Sequence, residues 1–292
     1  MSLFLGCPIW AFKGWVGNFF PKGTKSSDFL REYARRLNTV EGNTTFYAVP
    51  SAGTIARWVE DAPPDFQLCP KIPKTISHAG TVSEHIPEAL EFLRVMGQLG
   101  SRLGPMFLQL PPSYSPRMIA DLTSFLDAWP REAKLAVEVR HIQWFDSPHH
   151  EALNRLLSAH EAARVVIDTR PIRALQGDSI LEGSVYLRLL QARERKPNLP
   201  IITEPTASFV FLRYIGHPQM EHNLPIIDEW VRHLAEWLRR GINIYVFCHC
   251  PDERLDPWLC REFHRRAAAI VPIQPLPWDA IEPQEGHQAK LL

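Results

Sequence analysis

The sequence predicts a (β/α)8 barrel, the TIM-barrel fold, in a single domain, and three observations lead to it. Eight short apolar segments occur along the chain of 292 residues, and helical patterns alternate with them. Together they occupy roughly 270 residues, which suits eight strand–helix units. An open doubly wound sheet usually contains fewer strands, so the count favours a barrel. We expect the domain to span residues 1–271.

The strands are predicted where short apolar runs lie between turn and helix signals. They are Leu3–Cys7, Thr39–Asn43, Phe66–Lys71, Met106–Leu110, Lys134–Arg140, Arg164–Asp168, Ser208–Tyr214 and Asn243–His249. Successive side chains of a strand alternate between its two faces, so residues two apart share a face. Alternation therefore predicts which polar residues of each strand could enter a common site.

The helices are predicted from amphipathic periodicity and from residues that favour helix starts. Ser27 can cap a helix to Leu37, Ser51 one to Glu60, and Ser115-Pro116 opens one that ends near Ala128. Further helices are expected over Glu84–Arg102, His149–Ala162, Pro225–Arg240 and Leu255–Ile270.

The connection from Thr169 to Ala207, after the sixth strand, is too long for a simple helix return. Ser179–Arg195 has a helical pattern and ends in a basic run that includes Lys196. Long connections in compact domains are often functional. Of a purely decorative insertion and a lid or excursion on the substrate side, we prefer the second.

The composition excludes several classes of protein. The chain carries 32 basic and 32 acidic side chains, so its zero net charge gives no overall attraction to nucleic acid or membrane. The N-terminus lacks the pattern of a signal peptide, and no run of about 18 apolar residues occurs. The five cysteines are scattered, unlike a disulfide framework. We expect a cytoplasmic protein, with residues 272–292, rich in Pro, Gln and Glu, as a disordered tail.

Polar side chains lie at or just past the predicted strand ends, where barrel enzymes hold their active sites. Alternation selects Glu41, Asn43, Lys71, Gln109, Glu138, Arg140, Asp168, Arg213 and His249. The flanking loops add Trp10, Phe46, Tyr47, His78, Tyr114, His141 and Trp144. Such residues can also satisfy loop backbone groups, but contributions from seven strands favour one shared pocket with aromatic walls.

Three chemistries compete for this site. In the first, Glu41, Glu138 and Asp168 bind a divalent metal together with His249, because hard cations prefer oxygen ligands. The basic residues Lys71, Arg140 and Arg213 already balance the three acids, however. A dication would then leave a surplus of positive charge unless an anionic substrate came with it, so metal catalysis is the weaker hypothesis.

In the second chemistry, the basic residues bind an anion such as a phosphate or a carboxylate. Arginine suits bidentate recognition, and a carboxylate can serve as general acid or base. Lys71 could be a base or an imine-forming nucleophile if burial lowers its pKa. Glu41 on the adjacent strand would instead keep it charged, so we prefer a salt bridge between these two residues.

In the third chemistry, the pocket holds nucleic acid, because aromatic, Arg and Lys side chains suit flipped or single-stranded bases. The neutral net charge offers no support for it. The Cys248-His249-Cys250 segment resembles a metal cluster, yet alternation places both cysteines on the face opposite His249. No glycine-rich phosphate loop, zinc-protease helix or nucleophile elbow occurs.

Six motifs in order resemble the YecE-like family, catalogued as domain of unknown function 72. They are Gly6–Trp10, VEGNTTFY (Val40–Tyr47), the Phe66–Lys71 strand with Ile76–His78, LQLPPSY (Leu108–Tyr114), VEVRH (Val137–His141) and FLRYIGH (Phe211–His217). The likeness spans roughly residues 3–270. It implies a TIM barrel but no reaction, because the family has no established activity. The family's characteristic positions fall on Trp10, Glu41, Asn43, Phe46, Tyr47, Lys71, His78, Gln109, Pro111, Pro112, Glu138, Arg140, His141 and Arg213.

The sequence therefore predicts a barrel that binds a small or extended anionic ligand at the C-terminal mouth of its strands. Glu41, Glu138, Lys71 and Asp168 are the catalytic candidates, and Arg140 and Arg213 are the anion clamps. Trp10, Tyr47 and Trp144 would supply aromatic walls. If it is an enzyme, we expect a hydrolase, lyase or isomerase, with no cofactor predicted and a divalent metal as the alternative. A metal-dependent phosphodiester hydrolase, a nucleic-acid-binding protein and a non-catalytic ligand-binding protein are the competing hypotheses.

Overall fold

All eight predicted strands are present in the structure, a computed structural model that describes residues 2–173, 181 and 183–281. The strands are β1 Leu3–Gly6, β2 Thr39–Gly42, β3 Gln67–Pro70, β4 Met106–Gln109, β5 Leu135–Glu138, β6 Ala163–Asp168, β7 Phe209–Ile215 and β8 Asn243–His249. Four of them, β1 to β4, are one or two residues shorter than predicted and β5 is three residues shorter, whereas β6 is one residue longer and β7 and β8 keep their predicted length.

Every strand pair in the described residues is parallel. Six strands form one curled sheet in the order β1-β8-β7-β6-β5-β4, and β2 and β3 form a separate pair. The protein thus has an α/β fold in which the curled sheet accounts for six strands of the predicted barrel. A side chain at Gly6 would lie 2.1 Å from the carbonyl oxygen of Thr39, so glycine permits the close approach of β1 and β2.

Ten α-helices lie in the described part of the chain. They are α1 Phe29–Ala34, α2 Ala52–Asp61, α3 Lys74–Ser77, α4 Ile86–Met96, α5 Ile119–Ala128, α6 His149–Ala159, α7 Arg170–Arg173, α8 Gly183–Arg195, α9 Leu224–Arg239 and α10 Asp256–Ala268. The predicted cap of α2 is confirmed, because the Ser51 hydroxyl accepts a hydrogen bond from the Thr54 amide at 3.2 Å. None of the helices in the described residues is both long and apolar enough to cross a membrane.

The two faces of the strands carry different cores. One face holds a compact cluster that includes Phe107, Phe211 and Phe247, whereas the opposite face packs on the helices through a larger cluster. In β8, for example, Phe247 belongs to the compact cluster and Cys248 to the helix-facing core. This alternation decides which side chains reach the mouth, since residues two apart share a face.

The long connection after β6 contains α7 and α8. Leu189 of α8 packs with Ile167 and Ile215, near the carboxyl ends of β6 and β7. The Thr169 hydroxyl donates to the carbonyl oxygen of Pro197 at 3.0 Å, which fixes the return of the connection beside the end of β6. The predicted helix began at Ser179, and residues 174–180 and 182 lie outside the described residues.

The segment expected as a disordered tail begins with residues that pack on the domain. Leu276 is buried, and the amide of Trp278 donates to the carbonyl oxygen of Arg36 at 3.1 Å. Residues 277–280 form a short 3-10 helix. The packed part of the chain therefore extends beyond Val271 at least to residue 281, and residues 282–292 lie outside the described residues.

Candidate functional site

The carboxyl ends of the strands bring together most of the polar residues that alternation selected. We call this group the mouth cluster; it consists of Glu41, Asn43, Lys71, Gln109, Glu138, Arg140, Arg213 and His249. Six of the eight residues are buried, and Asn43 and Arg140 are partly exposed. The cluster lies above the compact aromatic core, because its strand residues share that face.

Arg213 of β7 is the centre of the mouth cluster. Its Nε and Nη2 donate to both carboxylate oxygens of Glu41, at 2.8 and 2.9 Å. Its Nη1 donates to Oε2 of Glu138 at 2.8 Å. One planar guanidinium thus joins carboxylates from β2 and β5, with a bidentate geometry toward Glu41.

Each carboxylate also has a second partner. Asn43 Nδ2 donates to Oε1 of Glu41 at 2.7 Å, and His249 Nε2 lies 3.2 Å from Oε2 of the same residue. Arg140 Nε donates to Oε1 of Glu138 at 2.6 Å. The two same-face pairs predicted from alternation are therefore in direct contact, and all four carboxylate oxygens are hydrogen-bonded.

The surrounding cations keep both carboxylates ionised. Burial alone would raise the pKa of Glu138, but Arg140 and Arg213 lower it to about 2. Burial opposes ionisation of Glu41 as well, yet Arg213 holds its pKa well below the usual value. Burial lowers the pKa of His249 to about 4, more than Glu41 can raise it. His249 is therefore neutral at pH 7, and Arg213 is the cation that keeps Glu41 ionised.

Lys71, directly after β3, lacks a carboxylate partner. Its ammonium nitrogen donates to Oε1 of Gln109 at 3.0 Å, and Arg140 Nη2 donates to the same oxygen at 2.8 Å. The nitrogen also lies 4.0 Å from the ring centroid of Phe46 and 5.5 Å from that of Phe107. Among the residues that the structure describes, no carboxylate oxygen lies within 4.0 Å of it.

The salt bridge expected between Lys71 and Glu41 is therefore wrong, because Arg213 occupies both oxygens of Glu41. The pKa of Lys71 is lowered to about 7, first by burial and then by the positive charge of Arg213. Glu41 and Glu138 oppose this effect from a distance without cancelling it. A buried amine with such a pKa can exchange a proton near neutral pH.

Lys196 is a residue of this site that strand alternation could not identify. Arg173 Nη2 donates to its carbonyl oxygen at 2.6 Å, at the end of the connection fixed beside β6. Burial of its ammonium group and the charge of Arg213 lower the pKa of Lys196 to about 8. Glu41 is among the groups that raise that pKa. The only sequence signal for this contribution was the basic run that ends the connection.

An aromatic rim borders the Lys71 side of the mouth cluster. Phe46 makes edge contacts with Tyr47 and His78, each with ring centroids 5.2 Å apart. Tyr47 is 82% exposed, as suits a wall at the surface. Burial and the charge of Lys71 lower the pKa of the half-buried His78 to about 4, so it is neutral at pH 7. Its Nδ1 lies 2.8 Å from the Ser77 hydroxyl.

Two further predicted residues lie at the edge of the mouth in different ways. Trp10 is half-buried and makes an edge contact with Trp58, at a centroid distance of 5.3 Å. His141 is half-buried, and its Nδ1 accepts a hydrogen bond from the amide of Gln143 at 3.3 Å. His141 therefore caps the turn that follows β5, and in the described residues it forms no hydrogen bond with the carboxylates of the mouth cluster.

Asp168 does not join the mouth cluster, contrary to the prediction. Val165 of β6 packs in the compact core and Ile167 pairs in register with Arg213, so Asp168 points to the helix-facing side. There it accepts hydrogen bonds from Arg170 Nη2 at 2.8 Å and from Trp230 Nε1 at 2.7 Å. Asp168 directly follows Ile167, and a shift of one residue moves a side chain to the other face.

Trp144 is also not an aromatic wall. Its side chain is fully buried, and its Nε1 donates to the carbonyl oxygen of Tyr114 at 2.7 Å. Its own carbonyl oxygen accepts from Arg164 Nη2 at 3.0 Å. Trp144 thus belongs to the packing behind β5, and Tyr114 is buried with it.

The carboxylates have little capacity left for a metal ion. All four oxygens of Glu41 and Glu138 accept hydrogen bonds, and each of them has an arginine donor within 2.9 Å. In the described part of the chain, no group of three His, Cys, Asp or Glu side chains is arranged to hold a metal. Cys248 lies in the helix-facing core and His249 at the mouth, so the separation expected for the Cys-His-Cys segment is confirmed.

The described part of the chain also has three small surface cavities at the amino-terminal ends of strands, away from the mouth. They border Leu3, Met106 and Leu135, respectively. None of their lining side chains belongs to the mouth cluster. The mouth cluster lies at the opposite, carboxyl ends of the strands, where barrel enzymes hold their active sites.

Comparison with known proteins places these residues in a family. The family model described as protein of unknown function DUF72 matches residues 4–280. The "UPF0759 protein YecE" of Escherichia coli K12 is 37% identical over 258 residues, which cover 88% of this chain and 89% of that protein. Its counterpart from Escherichia coli O157:H7 is 36% identical with the same coverage. The resemblance inferred from the six motifs is therefore confirmed.

Solved structures support the fold at lower sequence identity. A DUF72 family protein from Thermotoga maritima MSB8 superposes with a TM-score of 0.68 at 19% identity, covering 92% of this chain and 100% of that one. A DUF72 family protein from Enterococcus faecalis V583 also gives 0.68, at 15% identity, with 94% and 98% coverage. At such identities the likeness concerns the fold alone.

Proposed function

The chain belongs to the DUF72 family of proteins of unknown function, and from that premise we propose that it is a (β/α)8-barrel protein that binds a small or extended anionic ligand at the mouth of its strands. Two hydrogen bonds support closure of the barrel. The amide of Glu41 donates to the carbonyl oxygen of Cys7 at 3.0 Å, and the amide of Ile72 donates to that of Phe107 at 2.9 Å. They link β2 to the end of β1, and the end of β3 to β4.

The observation that carries the proposal is a surplus of positive charge in a buried site. Arg140 and Arg213 pair with the two carboxylates, Glu41 and Glu138, and balance their charge. The surplus is carried by the protonated forms of Lys71 and Lys196, whose charges interact with the same groups. Both carboxylates are ionised and fully engaged, so they cannot neutralise the remaining charge. A bound anion would do so, and would also raise the lowered pKa values of the two lysines.

Arg140 is the residue best placed to meet the ligand. Its Nε and Nη2 are held by Glu138 and Gln109, whereas its Nη1 makes no hydrogen bond with any residue that the structure describes. Its side chain is 15% exposed, unlike that of Arg213, which is 3% exposed. Arg140 therefore offers an oriented donor toward solvent, and Arg213 supports it through Glu138.

The same geometry argues against acid–base catalysis by the carboxylates at neutral pH. A general acid or base works best when its pKa lies near the operating pH. The pKa of Glu138 is about 2, far from that range, and the pKa of Glu41 is lowered as well. We assign Glu41 and Glu138 the role of positioning the arginines. Their engaged oxygens equally weaken the metal-dependent hydrolase hypothesis.

We further propose a cytoplasmic location. All five cysteines are buried free thiols. Disulfides form and persist in oxidising compartments, whereas unpaired thiols suit a reducing one.

The proposal can be tested by titrating purified protein with inorganic phosphate in a calorimeter at low ionic strength. We expect saturable binding that Arg140→Met weakens about tenfold or more, since a charge-assisted hydrogen bond contributes roughly 1.5–3 kcal/mol. Arg35→Met is the matched control, because Arg35 is an exposed residue paired with Glu32 on α1. Its affinity should equal that of the parent protein.

Two results would overturn the proposal. One is the absence of saturable binding of phosphate and of a dicarboxylate such as oxalate. The other is equal affinity in the Arg140→Met protein. Turnover is a separate readout: binding without any turnover would identify a non-catalytic ligand-binding protein.

A further inference from the structure

The anion-binding proposal leaves one feature of the mouth cluster unexplained, namely the environment of Lys71. A lysine placed only to attract anions works best when it is fully protonated. Lys71 is instead 93% buried, against two aromatic rings and beside two arginines. Burial and the two arginines disfavour the ammonium form, and the cation–π contacts with the two rings offset this effect only in part.

We propose that Lys71 is a nucleophile that forms an imine with small carbonyl compounds carrying an anionic group, such as 2-oxo acids and phosphorylated aldehydes. This inference rests on the proposed anion-binding function, because Arg140 would hold the anionic group of the same ligand. It adds a covalent step that neither the family description nor the relatives' names contain.

The hydrogen bonds of Lys71 suit a neutral amine. An amine has two N–H groups and one lone pair, whereas an ammonium has three N–H groups that need acceptors. Gln109 Oε1 accepts the only hydrogen bond found for Lys71 Nζ in the described residues. Because that oxygen also accepts from Arg140, the amine and the guanidinium lie side by side. Their proximity disfavours a second positive charge.

The charged groups around Lys71 come from several strands. Arg213 on β7 and Arg140 after β5 lower the pKa of Lys71, whereas Glu41 on β2 and Glu138 on β5 raise it. His78, after α3, is neutral at pH 7 because its own pKa is about 4. With burial as the largest effect, the pKa of Lys71 is about 7, so a substantial fraction is a free amine at neutral pH.

The aromatic rim lies between Lys71 and the protein surface. Phe46 lies over the Lys71 nitrogen and is itself half-buried, next to the exposed Tyr47. Arg140 is linked to the same nitrogen through Gln109, whose Oε1 accepts from both side chains. A carbonyl carbon at Lys71 thus has an arginine within reach of an adjacent anionic group. A small ligand suits this spacing.

The chemistry is balanced without an oxidant or a reductant. The lone pair of Lys71 Nζ attacks the carbonyl carbon, a C–N bond forms, and the carbonyl oxygen takes up a proton. One amine hydrogen returns to solvent as a proton, the other leaves with that oxygen as water when the C–O bond breaks, and the imine results. One proton from solvent converts it to the iminium, and the ionised Glu138 and Glu41 lie near enough to stabilise that fixed charge.

The inference can be tested by trapping with sodium borohydride, which delivers hydride to the iminium carbon and leaves a stable secondary amine. The probes are glyoxylate and glycolaldehyde phosphate, followed by intact-mass measurement and peptide mapping. We expect one adduct per chain, located at Lys71. Its yield should rise between pH 6 and pH 8 as the amine loses its proton.

Three controls make the result specific. Lys71→Arg keeps the positive charge but cannot form the imine, so its adduct should be lost. Lys74→Arg changes an exposed lysine three residues further along the chain and should leave the adduct unchanged. Uncharged glycolaldehyde should label Lys71 about tenfold less than its phosphate, because it lacks the contact with Arg140.

Labelling spread over surface lysines, or labelling that persists in Lys71→Arg, would overturn the inference. If phosphate binds and depends on Arg140 while no Lys71 adduct forms, the imine is wrong and the anion-binding function stands. If phosphate and oxalate do not bind either, both proposals fail. A urea unfolding curve of Lys71→Arg, compared with that of the parent, shows that a lost adduct does not reflect a lost fold.

Discussion

Two buried cations in the mouth of the barrel have opposite environments. At the centre, Arg213 contacts two carboxylates through three hydrogen bonds no longer than 2.9 Å. At the edge, Lys71 contacts one amide oxygen and two aromatic rings. The pKa of Arg213 is raised above its usual value, against the effect of burial, whereas that of Lys71 is lowered to about 7.

The comparison distinguishes a charged group that stabilises the structure from a group that can take part in a reaction. A buried ion whose partners satisfy it holds strands together but has no reason to change protonation state. A buried amine without an opposite charge within 4.0 Å is held near the point at which it loses its proton. The centre of the mouth cluster therefore supports the site, and the edge is where chemistry can occur.

The largest expected effect is on the centre. Arg213→Met should lower the free energy of unfolding by about 3–5 kcal/mol, because it leaves Glu41 buried with uncompensated charge and Glu138 with Arg140 as its one arginine partner. Urea unfolding at pH 7 measures this loss. Arg254→Met is the matched control, since Arg254 also pairs with a carboxylate, that of Asp252, but is 61% exposed.

The control should change stability by no more than about 0.5 kcal/mol, as is usual for surface positions. Equal losses in the two variants would show that the buried pairs at the centre do not differ from a surface pair. The contrast between centre and edge would then have no energetic basis.

A smaller effect on the free energy of unfolding is expected at the edge. It is opposite in sign, because burial of the Lys71 ammonium group opposes folding. In the folded protein the pKa of Lys71 is about 7, below its usual value near 10.5, so the unfolded chain binds more protons between these two pH values. The parent protein should therefore gain stability relative to Lys71→Met as the pH rises, by roughly 2 kcal/mol from pH 7 to pH 9. Below pH 7 the difference should level off.

Urea unfolding of both proteins across this pH range measures the difference. Lys74→Met is the control, because Lys74 is exposed and should give no such slope. A flat difference for Lys71→Met between pH 7 and pH 9 would mean that Lys71 is fully protonated in the fold. Lys71 at the edge would then stay charged in the fold, as Arg213 does at the centre.

Alternation predicted much of this arrangement, because it is a local property of a strand. It placed Asn43 beside Glu41 and Arg140 beside Glu138, and hydrogen bonds of 2.7 and 2.6 Å confirm both pairs. It also predicted the separation of His249 from the cysteines, and the short apolar runs predicted the strands. What it could not predict was which cation meets which carboxylate. That choice depends on distances across the sheet, where Arg213 excludes Lys71 from Glu41.

One residue of the site was not predicted and one predicted residue was wrong, because their positions depend on more than the local sequence pattern. Lys196 reaches the site from a long connection whose path is fixed by tertiary contacts, such as the bond from Thr169 to Pro197. Asp168 was misplaced because a shift of one residue moves a side chain to the other face. A buried carboxylate at a strand end looks the same in the sequence whether it faces the ligand or a helix.

The smallest expected effect on ligand affinity is that of a substitution at Asp168. This variant serves as a reference for the comparison of centre and edge, because Asp168 is a buried carboxylate outside the mouth cluster. Asp168→Asn should cost about 1–3 kcal/mol of stability, because it weakens buried hydrogen bonds from Arg170 and Trp230. Phosphate affinity should stay within about twofold of the parent, since Asp168 lies on the helix-facing side of β6. Calorimetric titration of the folded variant measures this directly. A tenfold change in phosphate affinity would mean that a buried carboxylate affects ligand binding from either face of the sheet. Membership of the mouth cluster would then no longer predict which residues act on the ligand.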